Sequence, residues 1–433
     1  MKPKIPILPL LVVNFVGTLG YSIMIPFLVY LVNAFKGNDF LYGVLGASYS
    51  VFQLVGAPLM GRLSDTFGRK KLLLVSEAGS VVAWAVFFIA LYLPVTSLLH
   101  ASNSVIGNMV ITLPLVVLFF ARAVDGITAG DVSVANAYLA DITEEKDRKK
   151  NFGQMGAAAN MGFILGPLIA AALGNTVFGL QLPITIAGAI SLAALVLTVI
   201  MLPESSNHAK KFNLFSRHKI QPNPQTEAPA LPKMKMTEIA RLPGVPFMLL
   251  LYFMIFLGFN LFYTAFPLFA IEELKWNVAR MGIFFAILSG MLVLVEGPIL
   301  TVLSKRFSDE TLVISGNLIL VANFLLIATK NEWLIYLSAT LFAVGNGISW
   351  PSFLSILSHI GGNQYQGAVQ GLASSAGSLS SVIGLIMGGI LFHRLGALTF
   401  IIVAAAMFVV FLLTFRLKNV GRRGEQLNMR TLE

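Results

Sequence analysis

Long apolar segments alternate with short polar ones along almost the whole of this 433-residue chain. A helix needs roughly 20 apolar residues to cross a bilayer, and 12 segments come near or exceed that length. Six of them precede a long polar stretch and six follow it. The predicted spans are Leu8–Val32, Leu41–Met60, Leu72–Leu93, Val110–Tyr138, Phe152–Leu173, Leu180–Leu202, Phe247–Ala270, Met281–Leu303, Thr311–Ala328, Trp333–Leu357, Gly367–Leu391 and Leu398–Leu417. The pattern therefore predicts an all-α membrane protein of twelve transmembrane helices in two six-helix bundles.

The composition supports a membrane protein. Apolar residues make up 56% of the chain and charged residues only 12%, whereas a soluble domain is roughly a quarter charged. A soluble fold could not bury that much apolar surface, so we expect lipid to solvate most of it. The net charge of +10 comes from short basic clusters between apolar segments, so we expect membrane lipids and no nucleic acid as partners. The chain has no cysteine, which excludes disulfides and thiol chemistry.

The lysines and arginines are unequally distributed between the two sides of the predicted membrane. With the N-terminus placed inside, 24 of the 30 fall in cytoplasmic segments, five fall in outside loops, and Arg122 lies within a span. Because cytoplasmic loops carry the excess of basic residues, both termini are predicted to be cytoplasmic, in an inner or plasma membrane. We expect Met1–Pro6 to lead into a first span and not to belong to a cleaved signal peptide.

A polar stretch rich in proline and lysine divides the chain. It predicts an N-terminal bundle at 1–202, a cytoplasmic linker at 203–243, and a C-terminal bundle with a short cytoplasmic tail at 244–433. An internal repeat supports this division, because Leu54–Phe67 aligns without gaps to Leu294–Phe307 at an offset of 240. Transporter folds are often built from such repeats, with the substrate site between them at mid-membrane.

The strongest local signal follows the second predicted span and reads Gly61-Arg-Leu-Ser-Asp65-Thr-Phe-Gly68-Arg69-Lys70-Lys71. Its two glycines permit a tight turn between helices, while one acid and several bases stay at the membrane face. This sequence resembles the G-x-L-x-D-x-x-G-R-K loop signature of the major facilitator superfamily. The resemblance implies the major facilitator fold of two pseudo-symmetric bundles. It also implies a gating role, at the inward end of the two halves, for Gly61, Asp65, Gly68, Arg69 and Lys70.

The fifth predicted span carries glycines at a second characteristic spacing. Gly153, Gly162 and Gly166-Pro167 resemble the G-x8-G-x3-G-P-x2-G-G antiporter signature of exporting members of the superfamily. The final glycine pair is Ala170-Ala171 here, which keeps these residues small. Gly162 and Gly166 lie about one turn apart, so a neighbouring helix can approach the backbone there. The alternative is a general small-residue packing face; together with the other motifs, the spacing favours export over import.

Ionisable residues inside the predicted spans are the candidates for proton coupling. A central Arg or Asp costs ~2.5–3.5 kcal/mol or more in lipid, so such residues are retained for a reason. Arg122 and Asp125 are spaced so that they can pair on one helix, and their sequence resembles the family's R-x-x-Q-G. The pair either locks the helix or opens when the carboxylate takes up a proton. We favour the second alternative, because the fourth span lines the central cavity in this superfamily.

Three further acids lie in predicted spans. Glu296 has no basic residue within a helical turn, so burial favours its protonated form and makes it the second predicted proton carrier. Asp131 lies about 9 Å nearer the cytoplasm than Asp125 along the helix, where it is a further coupling candidate or a partner of the basic loop. For Glu77 we expect a structural partnership with the same loop.

From Phe119 to Gly153 the sequence is similar to the tetracycline-resistance branch of the drug:proton antiporters. The similarity covers most of the first half, whereas the second half matches only in its pattern of spans. That branch has aspartates where this chain has Asn14 and Ala83. A magnesium–tetracycline chelate would lose its expected partners, so we do not expect tetracycline as the substrate.

Aromatic residues recur every three or four positions along the seventh span, at Tyr252, Phe256, Phe259, Tyr263 and Phe266. Residues so spaced share one helix face, which either lines a cavity for apolar or cationic ligands or packs against lipid or another helix. Further candidates to line the substrate cavity lie on the first, seventh and tenth spans, namely Asn14, Tyr21, Asn260, Asn346 and Trp350.

Together these features predict a proton-coupled antiporter that exports small, largely apolar organic compounds or drugs by alternating access. Export of a metabolite or siderophore, or import of a nutrient, remains an alternative. A non-transporting scaffold or receptor would not need four intramembrane acids. The chain has no P-loop pattern and its five histidines form no metal-binding cluster. We therefore expect a monomer with no enzymatic activity, no metal, and no cofactor other than protons as the coupling ion.

Overall fold

A computed structural model of the chain describes residues 7–143, 148–174, 176–203, 236–360 and 362–417. The N-terminal helices are α1 (Leu8–Ala34), α2 (Asp39–Phe67), α3 (Arg69–Ala90), α4 (Leu113–Thr128), α5 (Asp131–Ile142), α6 (Arg148–Gly174) and α7 (Gln181–Met201). A short helix, α8 (Met236–Ile239), follows. The C-terminal helices are α9 (Val245–Glu272), α10 (Val278–Leu294), α11 (Leu300–Leu303), α12 (Asp309–Ile327), α13 (Glu332–Ile360), α14 (Gly362–Leu395) and α15 (Leu398–Thr414). A π-helical segment, Val295–Ile299, joins α10 to α11.

The predicted all-α membrane fold is confirmed. In the described part of the chain, ten helices are long and apolar enough to cross a membrane, with α10, the π-helical segment and α11 counted as one. Large apolar side chains on these helices are exposed, as at Val55 and Ile200, which is the surface that lipid covers. Of the other two predicted spans, the last corresponds to the 17-residue α15 and the fourth is interrupted. The count of twelve spans therefore stays a prediction.

The fourth predicted span, Val110–Tyr138, is not one continuous helix. It consists of the end of a strand, α4 and α5, and the two helices are separated at Ala129 and Gly130. Gly130 approaches α2 so closely that a Cβ built on it would lie 2.5 Å from the Cβ of Met60. The backbone N–H of Gly130 donates to Ser76 Oγ at 3.1 Å, so a side chain of α3 supplies an acceptor at the break. Apolarity alone could not predict this break, because it depends on contacts with α2 and α3.

A β-hairpin stands between α3 and α4, where the sequence analysis predicted only a loop and the first residues of a span. Strand β1 (Ser97–Asn103) pairs antiparallel with β2 (Gly107–Thr112). The hairpin packs on the connection between α1 and α2, where Asn38 Nδ2 donates to the backbone oxygen of Ile106 at 2.7 Å. We call the side of the molecule on which it lies the hairpin face.

The N-terminal and C-terminal helices contact each other closely near the hairpin face. Tyr30 Oη of α1 donates to the backbone oxygen of Trp276 at 2.8 Å. His393 Nδ1, near the end of α14, lies 3.2 Å from Asp39 Oδ2, at the start of α2. The predicted linker lies mostly at 204–235, outside the described residues, so the domain boundaries stay a prediction.

The internal repeat adopts two different local structures. Pro58 lies within the α-helix α2, whereas its counterpart Pro298 lies in the π-helical segment. Proline lacks the N–H that an α-helix uses, so each helix must adjust around it, and the adjustment depends on the neighbouring helices. The repeat therefore indicates related positions in the two halves but does not fix identical backbone geometry.

Candidate functional site

A cavity among the N-terminal helices brings the strongest candidate residues together. All of its lining residues belong to α1, α2, α3, α4, α7 or the break after α4, so it lies within one group of helices and not between the two groups. The lining residues are Val13, Val16, Gly17, Gly20, Met24, Tyr49, Glu77, Ser80, Ala83, Trp84, Phe87, Arg122, Asp125, Ala129 and Ser191. Apolar and aromatic walls around a few convergent polar groups are typical of small-molecule sites.

Arg122 and Asp125 form the predicted ion pair inside this cavity. Arg122 Nη1 lies 4.0 Å from Asp125 Oδ2, and the Arg122 side chain is 5% exposed while that of Asp125 is 25% exposed. Ser80 Oγ of α3 donates to Asp125 Oδ1 at 2.9 Å. The carboxylate is therefore held by one cation and one hydroxyl, and it retains access to the cavity through which a proton can reach it.

The guanidinium of Arg122 has a second contact besides Asp125. Its Cζ lies 4.7 Å from the centroid of the Tyr49 ring on α2, a distance at which a cation is attracted to an aromatic face. Among the described residues, Arg122 Nε has no hydrogen-bond partner. A buried donor without an acceptor is unfavourable, so the arginine has capacity for another negative group.

Each of the two glutamates accepts a hydrogen bond from another helix. Glu77 is buried and lines the cavity, and its Oε1 accepts a hydrogen bond from Thr198 Oγ1 of α7 at 2.9 Å. The expected partnership of Glu77 with the basic loop stays a prediction. Glu296, which we predicted to be unpaired, accepts from Asn160 Nδ2 of α6 at 3.3 Å. That bond connects the N-terminal to the C-terminal helices. Glu296 does not line the cavity that holds Asp125.

Two of the remaining predicted site residues, Asn14 and Asn260, make hydrogen bonds to backbone oxygens. Asn14 is buried and donates to the backbone oxygen of Met155 at 2.7 Å, which joins α1 to α6. Asn260 donates within its own helix to the oxygen of Phe256 at 2.7 Å. Asn346 has a buried side-chain oxygen that has no partner in the described part of the chain. The side chains of Tyr21 and Asp131 lie outside those that the structure describes.

The aromatic face of α9 packs against α10 and α13. Tyr252 stacks on Phe256 with centroids 4.8 Å apart, and Trp350 of α13 meets both rings edge-on at 5.1 Å. Tyr263 stacks 6.3 Å from Phe285 of α10. Of the two alternatives left open by the sequence, these contacts show packing against neighbouring helices.

The comparisons with known proteins decide the family. The sequence profile of the Major Facilitator Superfamily matches residues 10–325 and 248–430. The chain belongs to the Major Facilitator Superfamily.

Named relatives within the superfamily match most of the chain. Tetracycline resistance protein, class E, of Escherichia coli is 29% identical over 419 residues, which cover 95% of each chain. Tetracycline resistance protein, class D, of Salmonella ordonez is 30% identical over 394 residues, or 89% of each chain. Multidrug resistance protein 2 of Bacillus subtilis (strain 168) is 26% identical over 384 residues, which cover 87% of this chain and 86% of that protein.

Solved structures confirm the major facilitator fold. A D-xylose–proton symporter superposes with a TM-score of 0.72 at 15% identity, covering 95% of this chain and 97% of the other. The human organic anion transporter MFSD10 superposes with a TM-score of 0.65 at 20% identity, covering 96% and 100%. Membership of the superfamily, together with the apolar helices, makes the protein an integral membrane transporter and not an enzyme.

The superfamily loop motif forms the turn between α2 and α3. Gly68 has φ +105°, a conformation that favours glycine, and its N–H donates to the oxygen of Ser64 at 3.2 Å. Arg69 Nε pairs with Asp141 Oδ2 of α5 at 3.0 Å, and Lys70 donates to the backbone oxygen of Val199 of α7 at 2.9 Å. These described contacts stay within the N-terminal helices, and the gating role of the motif stays a prediction. The side chain of Asp65 lies outside the described ones, and Gly61 has no atom within 4 Å of a built Cβ.

The antiporter signature lies where α6 meets both groups of helices. A Cβ built on Gly162 would lie 2.6 Å from the oxygen of Phe15, and one built on Gly166 would lie 2.8 Å from the nitrogen of Ile23, so α1 touches the backbone of α6 as predicted. On its other side, the backbone oxygen of Pro167 lies 2.6 Å from a Cβ built on Gly282 of α10. A Cβ built on Gly153 would have no other atom within 4 Å.

Sequence reasoning missed three residues that contact the charged groups of the cavity. They are Tyr49 below Arg122, Ser80 on Asp125 and Thr198 on Glu77. Only Ser80 could have been identified from the sequence, because it lies one helical turn from Glu77 on the same helix. Tyr49 and Thr198 come from helices far away in sequence, so their roles depend on the tertiary structure.

Proposed function

We propose that this transporter is an antiporter that exports small, largely apolar organic compounds in exchange for protons. The observation that carries the proposal is the Arg122–Asp125 pair, which is held inside the N-terminal helices next to an apolar and aromatic cavity. Charges are retained at that depth when they form part of an ion or substrate pathway. Relatives named for tetracycline and multidrug resistance support a drug-like substrate.

The coupling follows from competition between a proton and Arg122 for the Asp125 carboxylate. A proton on Asp125 removes its attraction for Arg122 and leaves the guanidinium to the Tyr49 ring and the cavity. Loss of the proton restores the pair. If the two halves differ in conformation between these states, proton binding and release shift the equilibrium between them, and a substrate that prefers one state is moved in exchange.

The proposal also assigns the coupling residues, the motif at one end of the N-terminal helices and the orientation of the chain in the membrane. Asp125 and Arg122 form the main coupling site, with Glu296 and Asp131 as further coupling positions. The turn at Gly68 and Arg69 stabilises one end of the N-terminal helices. Both termini lie in the cytoplasm, as the distribution of basic residues indicates, which places the hairpin face outside. The protein acts as a monomer in an inner or plasma membrane and uses no cofactor other than protons.

The substrate that we propose differs from a magnesium–tetracycline chelate. Ala83 lines the cavity and offers no ligand for a metal, and the amide of Asn14 is engaged by the backbone of α6. The aromatic walls formed by Tyr49, Trp84 and Phe87 favour a planar apolar compound instead. The second candidate function is export of a metabolite or siderophore by a transporter of the same fold. Arg122 Nε, which has no hydrogen-bond partner among the described residues, can donate to an acidic ligand of that kind.

The test is transport by proteoliposomes. A panel of apolar dyes and drugs, with magnesium–tetracycline included, is first ranked by thermal shift of the protein in detergent, because a ligand of the folded state raises its stability. The best compound is then followed in liposomes with and without an imposed pH gradient. We expect accumulation that requires the gradient and is lost in Asp125→Asn.

Glu332→Gln is the matched control, because Glu332 is an exposed acid at the start of α13. It should transport like the parent protein. Transport that is equally fast without a gradient, or equally fast in Asp125→Asn, would show that proton coupling through this pair is absent.

A further inference from the structure

A histidine–aspartate contact joins the two groups of helices at the hairpin face. His393 Nδ1 on α14 lies 3.2 Å from Asp39 Oδ2 at the start of α2. The two helices also meet through their backbones, because a Cβ built on Gly389 of α14 would clash with the backbone oxygen of Asp39. The hairpin tip covers the contact, since a Cβ built on Gly107 would lie 2.7 Å from His393 Cε1. A movement that separates α2 from α14 must break the contact between His393 and Asp39.

The two partners differ in their access to water. The Asp39 side chain is 10% exposed, whereas that of His393 is 36% exposed, so the imidazole can exchange a proton with the water on the hairpin side. An ion pair between two exposed side chains contributes little, but a buried carboxylate that loses a cation is left uncompensated. The charge of His393 therefore affects the stability of the closed hairpin face.

A second carboxyl group reaches Asp39 from α9. The Glu272 side chain lies within hydrogen-bonding range of Asp39, and Glu273 and Lys275 act on Glu272 electrostatically. Two carboxyl groups in such contact either hold a proton between them or repel each other when both are ionised. Because Asp39 belongs to the N-terminal helices and Glu272 to the C-terminal helices, that repulsion acts to separate the two groups of helices.

The other charged groups of this region differ from His393 in their contacts. Glu273 pairs with Lys330 and accepts the backbone N–H of Ala397 at 3.1 Å. The hairpin, residues 97–112, contains no Asp, Glu, Lys or Arg, and its one histidine is His100. Further charged residues at the ends of the surrounding elements are Lys36, Arg280, Glu332 and Arg394. Within the described part of the chain, His393 is the histidine in ion-pair range of a carboxylate, and histidine is the side chain that gains its charge near neutral pH.

We propose that His393, Asp39 and Glu272 form a proton-sensitive latch that holds the hairpin face closed. With protons bound, charged His393 pairs with Asp39 and the carboxyl group of Glu272 donates to Asp39. When the protons leave, neutral His393 no longer compensates Asp39, and repulsion between the two carboxylates favours opening. Only the N–H bond of the imidazole and the O–H bond of the carboxyl group form or break, and the protons exchange with water. The latch lies outside the cavity of Arg122 and Asp125 and goes beyond the proposed function.

The test follows opening of the hairpin face and needs no transported substrate. The chain has no cysteine, so Val278→Cys introduces a single thiol at a buried position that packs on Gly174 of α6. A membrane-impermeant maleimide outside proteoliposomes labels those molecules whose hairpin face points to the outer medium. The labelling rate of the full chain is measured from about pH 5 to about pH 8 outside, at constant inner pH, relative to a small free thiol. The reporter also carries Asp125→Asn, which removes the carboxylate of the other proposed protonation site.

The latch predicts opposite effects for its two C-terminal residues. The reporter should label at least about tenfold faster at the alkaline end, because release of one proton on opening shifts the equilibrium up to tenfold per pH unit. His393→Gln has no charge to gain and should label fast at the acidic end as well. Glu272→Gln cannot ionise and should label slowly at the alkaline end, because it removes the repulsion with Asp39. His100→Gln is the matched control, because His100 is an exposed histidine of the hairpin, and it should keep the profile of the reporter.

The outcomes distinguish the latch from a purely structural contact. If His393→Gln and Glu272→Gln both speed labelling equally at every pH, the residues hold the face together without sensing protons. A reporter that labels at the same relative rate across the pH range would overturn the latch. Should His393→Gln fail to fold, exposed Glu272 decides, because a Glu272→Gln profile equal to that of the reporter would also overturn it. Gradient-driven transport through Asp125 is tested by other variants and another readout, so either proposal can fail while the other stands.

Discussion

Arg122 determines how charge is compensated inside the N-terminal helices. It lies beside Asp125, above the ring of Tyr49, and in the same cavity as Glu77. Lysine could not replace it well, because the planar guanidinium can stack on an aromatic ring while it donates to a carboxylate in its plane. A buried ion pair of this kind contributes little net stability, but removal of one partner leaves the other uncompensated.

A double-mutant cycle measures this coupling. Arg122→Gln leaves Asp125 without its cation. We expect this variant to be destabilised by about 3 kcal/mol, the low end for a buried pair, because Asp125 is partly exposed. Asp125→Asn should cost less, since the Arg122 guanidinium keeps its contact with the Tyr49 ring. The double variant should be more stable than the sum of the two losses predicts. Unfolding in detergent, followed by denaturant titration, gives all four values; additive losses would mean that the two groups do not interact.

The helices α1 and α6 pack backbone to backbone, because glycine occupies the positions of closest approach. Gly162 faces the oxygen of Phe15 and the nitrogen of Leu19. Small residues at such contacts provide van der Waals contact where lipid removes the hydrophobic driving force. The antiporter signature thus has a packing role that the geometry explains, whichever direction transport takes.

Two glycines of this signature should respond oppositely to alanine. In Gly162→Ala the new Cβ would lie 2.6 Å from Phe15 O, so α1 and α6 must separate, and we expect a loss of about 1–3 kcal/mol. Gly153→Ala meets nothing within 4 Å and should be neutral or gain up to about 1 kcal/mol from helix propensity. Thermal melting of both variants in detergent checks the difference. Equal melting temperatures would contradict the close approach of the two helices.

The β-hairpin reaches from the N-terminal helices to α14. Gly107 at its tip has φ +67°, and a Cβ built there would meet the His393 ring, with its Cε1 2.7 Å away. His393 in turn lies 3.2 Å from Asp39 on α2. The hairpin tip therefore covers a contact that joins α2 and α14.

Alanine at the hairpin tip should loosen the hairpin face. Gly107→Ala brings a strained backbone and a clash with His393. The readout is a single cysteine introduced at buried Val278 (Val278→Cys), which we expect a membrane-impermeant maleimide to alkylate faster from the hairpin side. Gly179→Ala is the matched control, because Gly179 also has a positive φ, +52°, but meets nothing within 4 Å. If the two variants label at the same rate, backbone strain and not the contact with His393 is responsible.

The molecule as a whole is closed at the hairpin face. Tyr30 bonds to Trp276 and Asp39 to His393 across the two groups of helices, and Gly174 at the end of α6 packs on Val278 at the start of α10. Alternating access requires these contacts to break when the cavity opens to that side.

A disulfide across this contact should stop transport. A Cβ built on Gly174 lies 2.8 Å from the Cβ of Val278, so a cysteine pair needs a shift of only about 1 Å to reach disulfide spacing. We expect the oxidised Gly174→Cys/Val278→Cys protein to be inactive in proteoliposomes and to recover with a reducing agent. Each single variant serves as the control for the substitutions. Undiminished transport after complete oxidation would show that this face need not open.

The sequence by itself determined the membrane class, the superfamily and the Arg122–Asp125 pair. These depend on apolar length, on local motifs and on spacing within one helix, all of which are properties of neighbouring residues. In the described part of the chain, ten long helices, α15 and the interrupted pair α4 and α5 lie where the sequence predicts twelve spans, and the count of twelve stays a prediction. The interruption itself was not predictable, because an apolar segment looks the same whether or not another helix provides an acceptor such as Ser76.

The tertiary structure alone decided which helices bring partners to the charged groups. Glu77 and Asp125 are 48 positions apart, and only the packing of α3 on α4 and α7 places them in one cavity with Arg122. The same holds for Asn160 with Glu296, and for Asn14, which donates to the backbone of α6. In a membrane, almost every helix is apolar enough to face lipid or another helix, so hydropathy cannot rank the possible neighbours. Shape, close glycine contacts and the need to satisfy each buried polar group make that choice.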